Sequence, residues 1–226
     1  MIPKFYRDVI YKGDSFIELE DLLYPYKNAA IMDVKMGTRT FLESEINHAK
    51  PRADLYRKMI KIDPNEPTLE EHRLGAITKL RYMQFRESLS SSSNLGFRIE
   101  GFKVGDELKN TQKLHAIHSR EDVCKTLQRF FQDNTQSIQT TVNRLKKLRK
   151  FFENSEFFSK HEVIGSSLLL IHTENHAGVY MIDFAKTLPV PDKCELNHRR
   201  LWQLGNHEDG YLYGLDNLIL VLEELS

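Results

Sequence analysis

Disulfide chemistry has little to work with in this chain. Its 226 residues hold two cysteines, Cys124 and Cys194, far apart and in no metal-ligand spacing, which reads as two free thiols in a reducing compartment. The nine histidines form no HExxH or paired pattern, so zinc chemistry is not expected. CxxC, GxSxG and GxxxxGK[ST] are missing too, which sets aside redox dithiols, nucleophile elbows and P-loops. Charge of one sign is also lacking: 32 Lys+Arg against 32 Asp+Glu leaves no whole-surface field for nucleic acid or membrane. No apolar run approaches the roughly 18–20 residues of a membrane span. The opening MIPKFYRDVIYKG lacks the apolar core of a signal peptide. The expectation is a cytoplasmic protein with no nucleic-acid partner and no transmembrane segment.

What is present reads as α+β. Residues 5–19 suggest a hairpin turning at Lys12-Gly13-Asp14, and 29–36 a third strand. Residues 38–62 carry helical apolar spacing, broken in two by Pro51. Thr68 with Glu71 forms a capping box that opens a further helix, with helical character continuing toward Ser88. The run Ser90–Ser93 reads as a turn before the strand LGFRIEGFKV. Two amphipathic helices follow, one starting at Ser119 and one carrying Ile138, Val142, Leu145, Leu148 and Phe152. Strands SSLLLIHT and GVYMIDFAKT come next, and then the helix LDNLILVLEEL. Sheet and helical blocks are segregated rather than alternating, which favours α+β over a doubly wound sheet.

Three constellations could carry chemistry. On a strand, Ile31, Asp33 and Lys35 share one face while Met32, Val34 and Met36 share the other. A carboxylate and an ammonium thus stand side by side above an apolar floor, with Gly37 permitting a tight exit. That pair suits phosphoryl transfer, although alone it is more often a surface ion pair. Asp183 ends an apolar strand, where a kinase-like fold holds Mg²⁺, with Lys186 three residues on. Alone it is more often a strand-ending turn cap. Lys79, Arg81, Tyr82 and Arg86, then Arg98 and Lys103, make a basic segment with aromatic interleaving that suits a polyphosphate, or an ordinary helix surface.

The segments AIMDVKMGTRTFLESE, ITKLRYMQFRESLSSSSNLGFRIEG, EFFSKHEVIGSSLLLIH, VYMIDFAKT and NHRRLWQLGNHEDGYLYGLDNLI resemble, in order and spacing, successive blocks of the inositol trisphosphate 3-kinases. The likeness includes DxKxG at Asp33, Lys35 and Gly37, SSLL at Ser166–Leu169 and IDF at Ile182–Phe184. It implies a two-lobed inositol-polyphosphate-kinase fold, distantly similar to protein kinases. On that plan, residues 1–38 are the remnant of an ATP-binding lobe, 39–93 a helical inositol-phosphate-binding insert, and 94–226 the catalytic lobe.

The resemblance implies an ATP- and Mg²⁺-dependent kinase acting on the 3-hydroxyl of inositol 1,4,5-trisphosphate, linked to calcium signalling. The alternatives are a catalytically impaired inositol-phosphate-binding module or a broader inositol polyphosphate multikinase. Lys35 would bridge the γ-phosphate and the attacking hydroxyl. Asp33 would sit at the nucleotide–substrate junction, as base or as ribose contact. Asp183, supported by Ser167, would hold the metal. Glu20, Asp21 and Leu22 would form the hinge meeting adenine and ribose, and Lys103 would meet phosphate near the nucleotide. Lys79, Arg81, Tyr82, Arg86 and Lys186 would grip the inositol phosphates. Residues 49–61, with Arg52 among them, match a region near calmodulin and substrate contacts.

The chain departs from the pattern in four places. The block after His48 is about four residues shorter than in vertebrate members, which counts against the calmodulin contact. Ala29 stands where the signature usually begins with Pro. Ala185 replaces the glycine of IDFGKT. The family's phosphate-covering loop and an ATP-contacting Lys would precede the hairpin, so the likeness implies a piece of a longer protein, or else a short form that binds ATP poorly.

Overall fold

Strand and helix positions follow from where the apolar side chains fall. The computed structural model describes residues 1–24, 26–46, 50–105, 107–108, 114 and 117–226. The hairpin is β1 (Phe5–Tyr11) and β2 (Asp14–Leu19), with Gly13 at φ +91 in its turn. β3 is Ala30–Met36, with Ala30, Met32, Val34 and Met36 buried and Ile31, Asp33 and Lys35 half-buried. β4 (Phe97–Val104), β5 (Glu107–Leu108), β7 (Ser167–His172) and β8 (Ala177–Ile182) join it in one antiparallel sheet of order β5-β4-β3-β7-β8. β6 (His161–Val163) and β9 (Thr187–Pro189) form a small antiparallel pair beside it.

Three helices cover the back of the large sheet. α6 (Arg120–Phe131), α7 (Thr135–Glu153) and α9 (Tyr211–Glu223) pack their apolar stripes on β3, β4 and β8. Val123, Leu127, Phe130, Val142, Leu145, Leu215 and Leu218 meet the buried face of β3 in one core. The front face carries the polar side chains.

Between β3 and β4 lie α1 (Glu43–Ile46), α2 (Ala53–Ile62), α3 (Leu69–Leu74), α4 (Lys79–Ser88) and α5 (Ser92–Leu95). The break near Pro51 is present, and Thr68 and Glu71 form a complete capping box. A short α8 (Glu156–Ser159) follows α7. Ser92–Leu95 is a one-turn helix, where the sequence reads as a turn. The buried Ser91 donates to the Phe97 carbonyl, and Gly96 at φ +72 closes the helix. Leu55, Met59, Ile77 and Phe85 form a second, separate core. Each such side chain is worth roughly 1.5–3 kcal/mol when buried, so four of them give this helical unit little independent stability. It leans on its ties to the sheet.

Candidate functional site

Register places the chemistry in rows across the front of the sheet. Lys35 pairs with Arg98 on β4 and with Ser167 on β7, and Ser167 pairs with Ile182 on β8. With strands about 4.8 Å apart, this row of four positions spans roughly 14 Å. Asp183 follows immediately at its end, in the left-handed region at φ +65. Asp33 lies one row away, opposite Gly101 and Leu169.

A bulge sharpens this arrangement. The β3–β4 register shifts at Asp33/Val34, so Asp33 faces Gly101 and Val34 faces Ile99, leaving Glu100 as the extra residue. Phe97, Ile99 and Phe102 are all buried, a break in alternation that only an inserted residue allows. Glu100, two residues from Arg98, shares its front face by ordinary alternation. Its Oε1 accepts from Arg98 Nε at 2.9 Å and Nη2 at 2.6 Å, and stands 3.4 Å from Lys35 Nζ.

Two cavities flank the row and meet at Lys35, Thr40 and Arg98, which line both. The first, about 810 Å³, is apolar, walled by Phe5, Ile17 and Leu19 of the hairpin, with Asp183 and Lys186 on its rim. The second, about 970 Å³, is bounded by the insert and is more polar, with Tyr82, Arg86, Glu87 and Glu100 among its lining. Lys35 and Asp183, from the early and late strands, thus share one cavity.

Burial is the main influence on the Asp33 carboxyl and raises its pKa. The Ser167 hydroxyl and Lys35 pull it down, while Glu100 and Asp183 push it up, and the net shift is upward. Asp33 Oδ1 and Ser167 Oγ are buried, with no hydrogen bond of standard geometry among the described residues.

The other cations expected from the sequence divide. Lys186 and Lys79 gather on Glu45, at 2.9 and 3.8 Å. Burial pushes Glu45 up, but the Leu42 amide and the two lysines outweigh it and hold its pKa below the usual carboxylate value. Tyr82 and Arg86 face the polar cavity. Arg81 is committed elsewhere, to Glu66 at 2.7 Å and Glu71 at 3.1 Å, tying α3 to α4. Arg52 is exposed and grips Asp54 with two hydrogen bonds. Neither arginine lines either cavity. Lys103 sits on β4 opposite Ile31. Just past the hairpin, Glu20 accepts from the Lys4 amide and Asp21 from the Leu23 amide. Leu22 is half-buried.

Sequence reasoning missed Thr40, Glu87 and the bulged Glu100. Glu87 Oε1 accepts from the Thr40 amide at 2.7 Å and hydroxyl at 3.0 Å, fixing α4 to the segment leaving β3. Gly101 inside the strand pattern, with Ile99 and Phe102 both apolar, was the available signal for the bulge. Nothing in the local pattern marked Glu87.

This α+β arrangement is the fold of inositol phosphate kinases. The crystal structure of inositol phosphate multikinase Ipk2 from S. cerevisiae, in complex with ADP and Mn²⁺, superposes with a TM-score of 0.66 over 99% of this chain and 88% of that one, at 15% identity. The chain belongs to the inositol polyphosphate kinase family, whose model matches residues 16–223. It is 52% identical over 229 residues to an inositol-trisphosphate 3-kinase homolog of Caenorhabditis elegans, covering 99% of this chain and 46% of that protein. It is 48% identical over 230 residues to inositol-trisphosphate 3-kinase A of Homo sapiens, covering 100% and 50%. The chain therefore spans about half the length of these relatives.

Proposed function

We propose that this chain carries the catalytic machinery of an ATP-dependent kinase that phosphorylates the 3-hydroxyl of inositol 1,4,5-trisphosphate. The observation that carries the reading is the meeting of an apolar and a polar cavity at Lys35. On this reading residues 1–38 supply part of the nucleotide wall, 39–93 the inositol-phosphate side, and 94–226 the remaining catalytic groups.

The apolar cavity suits a nucleotide base, and the polar cavity suits a highly charged sugar-like substrate. Lys35 neutralises the phosphoryl oxygens between the two and orients the accepting hydroxyl. Asp33, buried beside Lys35 and Ser167, accepts that hydroxyl's proton, and its burial makes it the stronger acceptor. Asp183 and Ser167 present hard oxygen donors, the type Mg²⁺ takes together with phosphate and water oxygens. The buried Ser167 hydroxyl beside Asp33 fits this. When bound there, Mg²⁺ would neutralise charge on the nucleotide phosphates. Lys79, Lys186, Tyr82 and Arg86 hold the inositol phosphates, the lysines exchanging Glu45 for phosphate.

A role in calcium signalling and a calmodulin contact belong to the same reading. The candidate segment runs over 49–61, of which Ala49 lies outside the described residues. Leu55 and Met59 are buried in the insert, so calmodulin would meet the exposed Arg57, Lys58 and Lys61, or α2 released from its core.

Lys35→Ala and Asp183→Asn are each expected to lower kcat for 3-phosphorylation by at least about 10²-fold, with far-UV circular dichroism unchanged. Wild-type turnover in either variant refutes the assignment. Calorimetry that finds trisphosphate binding without MgATP binding would instead favour the non-catalytic module. Phosphorylation of bisphosphate and tetrakisphosphate substrates would favour a multikinase.

A further inference from the structure

The sheet sets two like charges side by side. Lys35 and Arg98 are direct cross-strand partners, an arrangement that destabilises an ordinary sheet by a few tenths to about 1 kcal/mol. Here one carboxylate oxygen, Glu100 Oε1, serves both from the same front face, two residues along β4 from Arg98. The trio is half-buried, with 26%, 19% and 20% of the Lys35, Arg98 and Glu100 side chains exposed. Within this trio two cations flank one carboxylate where the cavities meet.

Arg98 is also held in orientation. Its Nη1 donates to the buried Ser92 Oγ at 3.2 Å, so the guanidinium is fixed at both ends. Of the five N–H donors of an arginine, three are engaged by Glu100 and Ser92, and the other two have no hydrogen-bond partner among the described residues. Like Lys35, Arg98 lines both cavities.

We propose that Arg98 is a second catalytic cation of the phosphoryl transfer, contacting the moving phosphoryl oxygens beside Lys35, and that Glu100 is the positioning residue that aims both. The inference rests on the kinase reading above. In the step, the bond from phosphorus to the leaving diphosphate oxygen breaks as the bond to the accepting oxygen forms, and the hydroxyl proton passes to Asp33. Arg98 exchanges no bond or proton. It stabilises charge on the equatorial oxygens, where a planar fork fixes geometry better than a point charge. Glu100 keeps the two cations from repelling each other apart before the phosphoryl group arrives.

The test is steady-state kinetics of the full 226-residue chain with inositol 1,4,5-trisphosphate and MgATP. Arg98→Gln should lower kcat by about 10²–10³-fold while both KM values move less than about threefold, the pattern of an interaction made in the transition state. Added guanidinium ion should restore at least about tenfold of that loss, which a merely structural role would not allow. Arg98→Lys should retain more turnover than Arg98→Gln. Glu100→Gln should lower kcat by a smaller factor and add little to Arg98→Gln in the double variant. Undiminished kcat in Arg98→Gln overturns the proposal. So does a loss confined to one substrate's KM, or one that guanidinium leaves unrestored. A parent chain that transfers no phosphoryl group sinks the kinase reading and this inference with it; an active parent with an indifferent Arg98→Gln sinks this inference alone.

Discussion

Burial lifts the Glu87 carboxyl from the ordinary 4.5 to about 7, although the Thr40 amide and hydroxyl, Arg98 and Arg39 all favour its charged form. A raised folded-state pKa means the native protein binds the proton more tightly than the unfolded chain does. The associated stability is complete below about pH 4.5 and is lost as the pH rises through about 7. Glu87→Gln keeps an acceptor for Thr40 without the titration. Between pH 5 and 8 the wild type should lose about 2–3 kcal/mol relative to this variant. Urea unfolding at several pH values checks this; parallel stability curves would refute it. Because Glu87 fixes α4 to Thr40, and Thr40 lines both cavities, the same titration loosens or tightens the seam between insert and sheet.

At the level of elements, α9 approaches the α5–β4 corner so closely that glycine is required on both sides. A methyl group at Gly214 would overlap the Gly96 carbonyl and also crowd Met36. Gly214→Ala should therefore destabilise the protein by about 1–3 kcal/mol through overpacking, against the roughly 1 kcal/mol that alanine ordinarily gains in a helix interior. Denaturant midpoints decide the sign. Elements of this kind were mostly legible beforehand. The hairpin, β3, the break near Pro51, the Thr68 capping box and the two long helices follow from alternation, 3.6-residue spacing and caps, all local properties. Ser92–Leu95 escaped because four serines look like a turn, and only tertiary partners, the Phe97 carbonyl and Arg98, make that segment helical.

Across the whole molecule, Arg39 ties distant parts of the chain. Its guanidinium is 1% exposed and meets Glu162 at 2.6 Å, while also donating to the carbonyls of Phe41, His207 and Glu208. Arg39→Leu would leave the buried Glu162 without its charged partner, at an expected loss of about 3–5 kcal/mol. The double variant Arg39→Leu/Glu162→Leu should recover part of it, and calorimetric melting of the three proteins provides the comparison. A single sequence cannot show a pairing across 123 positions, because no periodicity connects its ends. Of the candidate site, Asp33 and Lys35 were readable as strand residues and Asp183 as a residue at a strand end, each beside apolar neighbours. Arg81 was not separable from Arg86 by spacing, since both fall on one basic helix; only the acids at 66 and 71 divert the first.

The β1–β2 ribbon is exposed on both faces, yet Phe5, Ile17 and Leu19 close one side of the apolar cavity. Its opposite side is the rigid five-stranded sheet. Whatever enters is clasped between a stiff plate and a pliant flap, and a ribbon of two strands has marginal order of its own. Affinity in that compartment therefore includes the entropy of stiffening the flap, so changes to residues that never touch the guest, such as the turn at Lys12 and Gly13, would alter how tightly it is held.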